Sequence, residues 1–360
     1  MAPRRILELD AVRGIAALLV VLYHYTTRYG EKVGHQEAPL FHVPWGHYGV
    51  ELFFLLSGFV IFMTLGRTRT TADFVVSRAS RLYPGYWAGI AVTLIVIAIG
   101  GLPFETYSVG ARDVALNATM LQRYVPGTPM VDGAYWTLCV ELTFYGLMMA
   151  LFWSGQLARV RAAVLGLLVI ELGLHYVTQG GHASAPLPLR ALRMLMLSHY
   201  GPYFGAGILF YLWRHATDAR ERYLNLSSIG VCLVAVWLMR PLPDAMASTV
   251  CFFLFGLLAS GRLGMLANRP LLFLGAISYS LYVIHQNVGF VLIQNATEAG
   301  IPTNAAIALA LICVLLIATA ITYGIERPAQ RVLRKGYERW KSNRARSSAT
   351  PTGTQSSATR

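Results

Sequence analysis

Long apolar stretches recur along the whole chain, and short polar segments separate them. Within each stretch the apolar residues run continuously instead of alternating with polar ones, which favours helices over the strands of a membrane barrel. Each stretch has roughly the 17–25 residues that a helix needs to cross a bilayer. The pattern predicts ten spans, at approximately 9–26, 47–66, 86–102, 135–153, 162–178, 195–213, 226–240, 246–261, 270–293 and 304–325.

Composition supports the same fold class. Of the 360 residues, 55% are hydrophobic and only 13% are charged, which is more apolar surface than one soluble domain can bury. In lipid every backbone amide must be bonded within its own segment, so we predict an all-α, polytopic membrane helical bundle. The transmembrane domain is predicted over 1–340. The tail, 341–360, is rich in Ser, Thr and Arg, and we predict that it is disordered.

The net charge of +13 could suggest a nucleic-acid partner, but the positions of the charges along the chain argue against one. With the amino terminus inside, the inner segments hold 22 of the 30 Lys and Arg residues and the outer segments hold 7, with Arg13 in the first span. This asymmetry places both termini in the cytoplasm and predicts a multi-pass protein of the inner (plasma) membrane. The basic surplus then faces anionic lipid and coenzyme phosphates, and no nucleic-acid partner is predicted.

The four cysteines, Cys139, Cys232, Cys251 and Cys313, all fall within predicted spans. They share no CxxC spacing and have no neighbouring histidine pattern, so they read as small buried hydrophobic residues. We predict neither a disulfide nor a metal site. GxSxG, HExxH and P-loop motifs are missing from the sequence, which disfavours serine hydrolases, zinc hydrolases and P-loop nucleotide hydrolases.

The first span, LDAVRGIAALLVVLYHY, carries Asp10, Arg13 and His24 in or beside the hydrocarbon. Arg13 and His24 lie about 20° from the same helical face and roughly 16 Å apart along the axis. An intramembrane charge costs several kcal/mol unless it meets water or a partner, so these residues are functional candidates. The structural alternative is that Arg13 pairs with Asp10 at the inner interface and that His24 is hydrogen-bonded at the outer one.

Two further groups of charged residues flank the second span. Glu51 stands near its outer end, at about the depth of His24, where a carboxylate can orient an imidazole or bind an acceptor hydroxyl; a rim residue in water is the alternative. The following inner loop carries Arg78 and Arg81, which share a face if the segment is helical. Their forked donors suit coenzyme phosphates, although ordinary anchoring at the inner surface explains them as well.

The fourth and ninth spans also carry polar residues. Trp136, Glu141 and Tyr145 lie along the outer half of the fourth span, with Glu141 and Tyr145 at i, i+4 spacing in an apolar run. The ninth span adds Ser278, Tyr279, Ser280, Tyr282 and His285. His285 is either a second catalytic imidazole or a helix-to-helix hydrogen bond, which is the more frequent use of such a residue.

Taken in order, these segments resemble the acyltransferase-3 family of multi-pass membrane O-acyltransferases, over about 6–335. The matching landmarks are Arg13 and His24 in the first span, GVELFFLLSGF with Glu51, Arg78-x-x-Arg81 running into Pro84 and Trp87, Trp136-Thr137-Leu138 leading to Glu141 and Tyr145, SYSLYVIH at 278–285, and IERP with Glu326 and Pro328. The chain departs from the family pattern at Leu142, where a second acidic residue is frequent. It also ends soon after its last span, so we expect the helical bundle itself to handle the acceptor.

The resemblance implies an acyl-coenzyme A donor, commonly acetyl-coenzyme A, as co-substrate, with no permanently bound cofactor. It implies a hydroxyl acceptor on a glycan, a lipid-linked sugar or a secondary metabolite. We expect Arg78, Arg81 and Arg13 to hold the donor, and His24 either to accept the hydroxyl proton or to carry the acyl group. Glu141, or else Glu51, would fix the imidazole. The positions expected to support the site or bind the acceptor are Asp10, Glu51, Trp136, Tyr145, Ser278, Tyr282 and His285.

Two other classes explain part of the pattern. Intramembrane Arg, His and Glu residues also build proton-coupled transporters. A protein that binds or flips a lipid-linked sugar is the second alternative. A transporter does not account for the arginine pair together with the other motifs in this order, and donor binding would distinguish the enzyme from the flipping protein.

Overall fold

The computed structural model describes residues 6–102, 108–178 and 186–349. Its helices are α1 (Leu7–Tyr23), α2 (Tyr29–Lys32), α3 (Gly49–Leu65), α4 (Thr71–Gly100), α5 (Ala111–Ala118), α6 (Trp136–Trp153), α7 (Val160–Val177), α8 (Leu187–Leu195), α9 (Gly201–His215), α10 (Ala219–Met239), α11 (Leu242–Ala259), α12 (Arg269–Glu298), α13 (Thr303–Ile321) and α14 (Arg327–Ala349). No strand occurs in these three ranges, which confirms the all-α prediction. The four cysteines are all described, and none forms a disulfide.

Seven helical segments of the described chain are long and apolar enough to cross a membrane. They are Pro44–Leu65, Thr71–Gly100, Gly133–Trp153, Ala219–Met239, Leu242–Ala259, Arg269–Glu298 and Thr303–Arg344. The other three predicted spans coincide with α1, α7 and α9, which are helical but are not among these seven. The helical membrane bundle is therefore confirmed, and the count of ten spans stays a prediction.

The segment that carries Arg78 and Arg81, expected between the second and third spans, is helical and forms the first part of α4. Thr70 caps α4 because its side-chain oxygen accepts from the Asp73 amide at 3.2 Å, while the Asp73 carboxylate accepts from the Thr70 amide at 3.1 Å. From there α4 continues without interruption past Pro84. The i, i+3 arginines therefore lie on one helical face, as predicted for the helical case.

The carboxyl-terminal boundary also differs from the sequence prediction. Helix α14 continues through Ala349, so the part of the predicted disordered tail that the structure describes, 341–349, is helical. Lys341 fixes this helix to α4 by an ion pair with Asp73 at 2.8 Å. The remainder of the tail, 350–360, lies outside the described residues.

Glycines bring α1 and α12 into close backbone contact. A Cβ atom on Gly275 of α12 would lie 2.0 Å from the Asp10 carbonyl oxygen, and one on Gly14 would lie 2.6 Å from the Gly275 amide nitrogen. Small residues permit this approach between membrane helices, where close packing and hydrogen bonds drive association. The contact sets the first predicted span directly against the ninth, which is the most buried of the seven spanning segments at 78%.

We expect Gly275→Val to destabilise the fold, because its side chain would overlap the α1 backbone. Overpacking of this kind costs about 1–3 kcal/mol or more. Gly230→Val in α10 is the matched control, since no atom lies within 4 Å of a Cβ placed there. Thermal unfolding of the purified proteins in detergent should show a lower midpoint for Gly275→Val alone. Equal midpoints would mean that α1 and α12 are not packed this closely.

Polar contacts join helix ends that are expected to lie on the same side of the membrane. At one end of the bundle, Arg161 pairs with Glu221 at 2.7 Å, joining the start of α7 to the start of α10. At the other end, the Leu40 amide donates to Asn304 at 2.8 Å. There too, the Asn295 amide donates to the Gly100 carbonyl at 3.0 Å. The grouping agrees with the alternating topology expected from the sequence; which end is cytoplasmic stays a prediction from the charge distribution.

Candidate functional site

A cavity between α1, α3, α4, α6 and α12 collects most of the residues singled out in the sequence. Counted with its open mouth, it contains about 720 Å³ of empty space. The candidate residues in its lining are Arg13, Arg78, Arg81, Glu141, Tyr145, Ser278 and Tyr282. These side chains come from four helices that are distant in sequence. We refer to this space as the arginine cavity.

Three guanidinium groups form its cationic wall. Arg13 donates to Asp10 at 3.3 Å, the i, i+3 pair considered from the sequence. Arg78 is only 9% exposed and donates to the Ser77 hydroxyl at 3.2 Å. Its buried Nε has no hydrogen-bond partner among the described residues. A buried donor without a partner is costly, so Arg78 is well placed to bind an anion in this cavity.

Glu141 faces the arginines. Its Oε1 accepts from the Tyr145 hydroxyl at 2.6 Å, the predicted i, i+4 contact, and from the Ser57 hydroxyl at 2.7 Å. One carboxylate therefore stands among three guanidinium groups in the lining, which leaves a positive balance suited to an anionic ligand. The carboxylate does not contact His24, so the prediction that Glu141 fixes the imidazole is wrong.

The partner of the His24 ring is a second histidine. His24 begins a π-helical turn directly after α1, and its Nδ1 lies 2.8 Å from the Val20 carbonyl oxygen and 3.2 Å from His285 Nε2. His285 Nδ1 lies 2.7 Å from the Tyr282 carbonyl oxygen. Nearby, the Tyr25 hydroxyl donates to the His285 carbonyl at 2.9 Å and holds the end of α1 against α12.

These contacts assign the protons on both rings. A carbonyl oxygen only accepts, so the Nδ1 atoms of His24 and His285 must each carry hydrogen. In a neutral His285 the Nε2 is then an acceptor directed at His24 Nδ1. The Nε2 of neutral His24 is left unprotonated, which is the state that a base or a nucleophile requires.

The arginine cavity stops short of the histidine pair. Tyr282 lines its end, and the Tyr282 hydroxyl is hydrogen-bonded to Thr137 at 2.9 Å. The Phe53 ring packs edge-on against Tyr282 with centroids 5.5 Å apart, and the His285 ring centroid lies 5.4 Å from that of Tyr282. Tyr282 therefore lines the cationic cavity and also neighbours the histidine pair, neither member of which lines the cavity.

Two candidates lie elsewhere. Glu51 is 3% exposed and pairs with Arg240 at 3.4 Å, so its predictions as an orienting group for His24 and as a rim residue in water are both wrong. Trp136 stands beside Tyr200, with ring centroids 5.2 Å apart, and beneath the guanidinium of Arg123 at 5.8 Å. Neither of them lines the arginine cavity.

The sequence reasoning missed three residues of this region: Ser57, Asp132 and Gln286. Fully buried Asp132 accepts from the Asn287 amide at 2.9 Å and so ties the loop before α6 to α12, two residues beyond His285. The Gln286 side chain approaches the His24 ring. A signal for Asp132 existed, because Asp before a turn and an apolar run is a typical N-cap. Neither Ser57 nor Gln286 stands out from the sequence around it.

Comparison with known proteins identifies the family. The acyltransferase domain model of the acyltransferase-3 family matches residues 6–324, close to the whole chain. The chain belongs to the acyltransferase-3 family. The resemblance drawn from the arginine, histidine and aromatic motifs is thereby confirmed, and the matched segment contains every residue of the arginine cavity.

Several curated relatives come from rhizobia. The chain is 33% identical over 160 residues to protein 2 in the picA locus of Rhizobium radiobacter, an alignment that covers 39% of this chain and 78% of that protein. It is 33% identical over 112 residues to nodulation protein 10 of Rhizobium leguminosarum bv. viciae, covering 27% of this chain and 30% of the relative. It is 30% identical over 123 residues to the exopolysaccharide production protein ExoZ of Rhizobium meliloti, covering 32% of this chain and 36% of the relative.

The chain thus spans about a third of the length of nodulation protein 10 and of ExoZ. No solved structure matches it.

Proposed function

We propose that this protein is an O-acyltransferase of the plasma membrane that moves an acyl group, most simply acetyl, from acyl-coenzyme A to a hydroxyl of an envelope or exported polysaccharide. The family membership supports acyl transfer. The observation that carries the donor assignment is the arginine cavity, where three guanidinium groups and one carboxylate line a space that also includes Tyr282, the neighbour of His285 in the histidine pair. Coenzyme phosphates supply the charge that this cavity lacks.

In the proposed reaction, His24 Nε2 takes the proton of the acceptor hydroxyl while the oxygen attacks the thioester carbonyl carbon. The new ester C–O bond forms, the C–S bond breaks, and coenzyme A leaves as a thiolate that recovers the proton from His24. The charged imidazolium is stabilised through its Nδ1–H by the Val20 carbonyl and by His285 Nε2. His285 is therefore a positioning residue for His24.

The thioester reaches His24 only past Tyr282. The Phe53 ring and the hydrogen bond to Thr137 hold this side chain at the end of the cavity. We propose that entry of the pantetheine arm displaces Tyr282 and so joins the donor cavity to the histidine pair. Water then stays away from the imidazole until donor is bound, which limits loss of the thioester to hydrolysis.

The acceptor class rests on the relatives and on topology. ExoZ is described as an exopolysaccharide production protein, and a polysaccharide hydroxyl is the acceptor that we propose here. A polysaccharide approaching from outside would meet His24 near the outer end of α1, while the donor enters from the cytoplasm. The two substrates would thus reach one imidazole from opposite faces of the membrane.

The proposal is tested by following thiol release from purified protein in nanodiscs. Free coenzyme A should appear when acetyl-coenzyme A and an extracted, chemically de-esterified polysaccharide are both present, and mass spectrometry should find new acetyl esters on the polysaccharide. Movement of a labelled glycan across sealed vesicles without thiol release would instead support the transporter or flippase alternative.

Sidedness can be tested with one cysteine on each end of the bundle. Leu40, 84% exposed, and Met265, 82% exposed, are apolar side chains in segments assigned to the outer and inner sides. In a cysteine-free background we expect an impermeant thiol reagent to label Leu40→Cys in intact cells, and Met265→Cys only after permeabilisation. The reverse pattern would invert the topology and the proposed routes of both substrates.

A further inference from the structure

A second polar groove opens beside the arginine cavity, between the α3–α4 turn and α14. Its charged lining consists of Arg67, Arg69, Asp73, Arg334, Glu338 and Lys341, four basic side chains against two carboxylates. It contains about 960 Å³ of empty space, including the open solvent at its mouth. None of these residues belongs to the cavity described above.

The charge of this groove is not fully compensated within the protein. Lys341 is paired with Asp73 at 2.8 Å. Arg67 and Arg69 are exposed, and their side chains make no hydrogen bond or ion pair with any residue in the described ranges. Arg334 donates through Nε to the Ser80 hydroxyl at 3.5 Å, which leaves the forked end of its guanidinium for a ligand. The groove therefore favours a compact anion such as a phosphate monoester.

The groove and the arginine cavity meet at α4. Ser77 lines the groove and accepts a hydrogen bond at 3.2 Å from Arg78, which lines the cavity. Ser80, the partner of Arg334, directly precedes Arg81 in the same helix. Basic residues thus follow one another from the exposed turn, past Ser77 and Ser80, to Arg78 and Arg81 in the cavity.

Resting on the proposed function, we infer that this groove binds the 3′-phosphate of the donor's nucleotide end, so that α14 and the α3–α4 turn form a second phosphate subsite. Coenzyme A carries a phosphate on the 3′ carbon of its ribose and the diphosphate on the 5′ carbon of the same sugar, followed by the pantetheine arm. The diphosphate then lies at Arg78 and Arg81, the arm runs into the arginine cavity, and the 3′-phosphate lies against Arg334 and Arg69. The same chemistry would also attract an anionic lipid headgroup, which the test separates.

The test compares coenzyme A with 3′-dephospho-coenzyme A, which lacks only that phosphate. Binding is measured by calorimetry at fixed ionic strength, with the full chain in nanodiscs of phosphatidylcholine, so that no anionic lipid competes. Because a hydrogen bond to a charged group contributes about 1.5–3 kcal/mol, we expect the wild-type protein to prefer coenzyme A by about tenfold or more.

Arg334→Gln and, separately, Arg69→Gln should reduce this preference towards one by weakening coenzyme A binding, with the affinity for the dephospho compound unchanged. Arg339→Gln is the matched control: it removes the same charge from α14, but Arg339 does not line the groove, so the preference should remain. Arg69 lies in an exposed turn, and its side chain makes no hydrogen bond or ion pair with the described residues, so its variant should fold even if Arg334→Gln does not.

Three results would overturn the inference. The first is a wild-type protein that binds both compounds equally. The second is an equal loss of affinity for both compounds in the groove variants. The third is a preference for coenzyme A that is unchanged in Arg334→Gln and Arg69→Gln, while both variants bind less phosphatidylglycerol when it is added to the nanodiscs, because the groove would then be a lipid site. If the wild-type protein binds neither compound and releases no thiol from acetyl-coenzyme A, the proposed function itself fails.

Discussion

His24→Ala is expected to lower the rate of acyl transfer by about 10²–10⁴-fold, the usual contribution of a positioned general base. The reason is geometric: the Val20 carbonyl and His285 hold the ring through Nδ1 and leave Nε2 unprotonated. Ester formation on the polysaccharide should be measured at saturating concentrations of both substrates. Binding of coenzyme A should be unchanged, because His24 is not in the arginine cavity.

His215→Ala is the matched control. His215 Nδ1 lies 2.8 Å from the Tyr211 carbonyl, the same i−4 contact that His24 makes with Val20, but His215 is exposed at the end of α9. Its variant should transfer at the wild-type rate. A wild-type rate in His24→Ala, with folding and donor binding intact, would remove His24 from the mechanism.

One additional measurement separates the two chemical roles considered for His24. If its Nε2 carried the acyl group, intact-protein mass spectrometry after incubation with acetyl-coenzyme A alone should reveal a mass increase of one acetyl group. General base catalysis requires no such species. We expect no acetylated protein in the absence of acceptor, because the attacking oxygen belongs to the polysaccharide.

Arg78→Ala is expected to weaken donor binding by about tenfold or more, which corresponds to loss of at least one hydrogen bond to a charged group. Arg78→Lys should recover only part of the loss, because an ammonium group keeps the charge without the forked donors that match phosphate oxygens. The KM for the polysaccharide should stay constant, since recognition is lost on the donor side only. Coenzyme A and its 3′-dephospho analogue should lose affinity equally, unlike in the groove variants.

Arg262→Ala provides the comparison for this prediction. Arg262 is exposed in the turn between α11 and α12, on the same predicted side of the membrane, and it lines neither the arginine cavity nor the groove. Donor affinity should be unchanged in this variant. If Arg78→Ala and Arg81→Ala also retain wild-type donor affinity, these arginines are topological anchors and the donor binds elsewhere.

The arginine cavity was predictable to a large extent. Arg13, Arg78, Arg81 and Glu141 stand out because they lie in or beside apolar runs, where a charge without partner or water is costly. Their order along the chain also matches the motifs of a known family, which groups them into one site. Helical spacing alone gave two local contacts that the structure contains, the Asp10–Arg13 ion pair and the Glu141–Tyr145 hydrogen bond.

The sequence did not predict the pairing between side chains of distant helices. Both Glu51 and Glu141 were reasonable partners for His24, yet Glu51 pairs with Arg240 and Glu141 binds Ser57, residues 189 and 84 positions away in the chain. His24 meets His285 instead, across 261 positions. Such pairings depend on the rotation of each helix about its axis, which the packing against its neighbours determines.

The sequence by itself determined that this chain is a helical membrane bundle, which family it belongs to, and which residues are the candidates for its chemistry. The length of the apolar stretches and the spacing of residues within them decide these features, and both are properties of the linear sequence. Only the tertiary structure decided that three arginines share a cavity, that the rings of His24 and His285 meet, and that α14 completes a groove beside Arg78. The physical reason is that close contacts between distant helices, such as the backbone approach of Gly275 to Asp10, fix depth and rotation together.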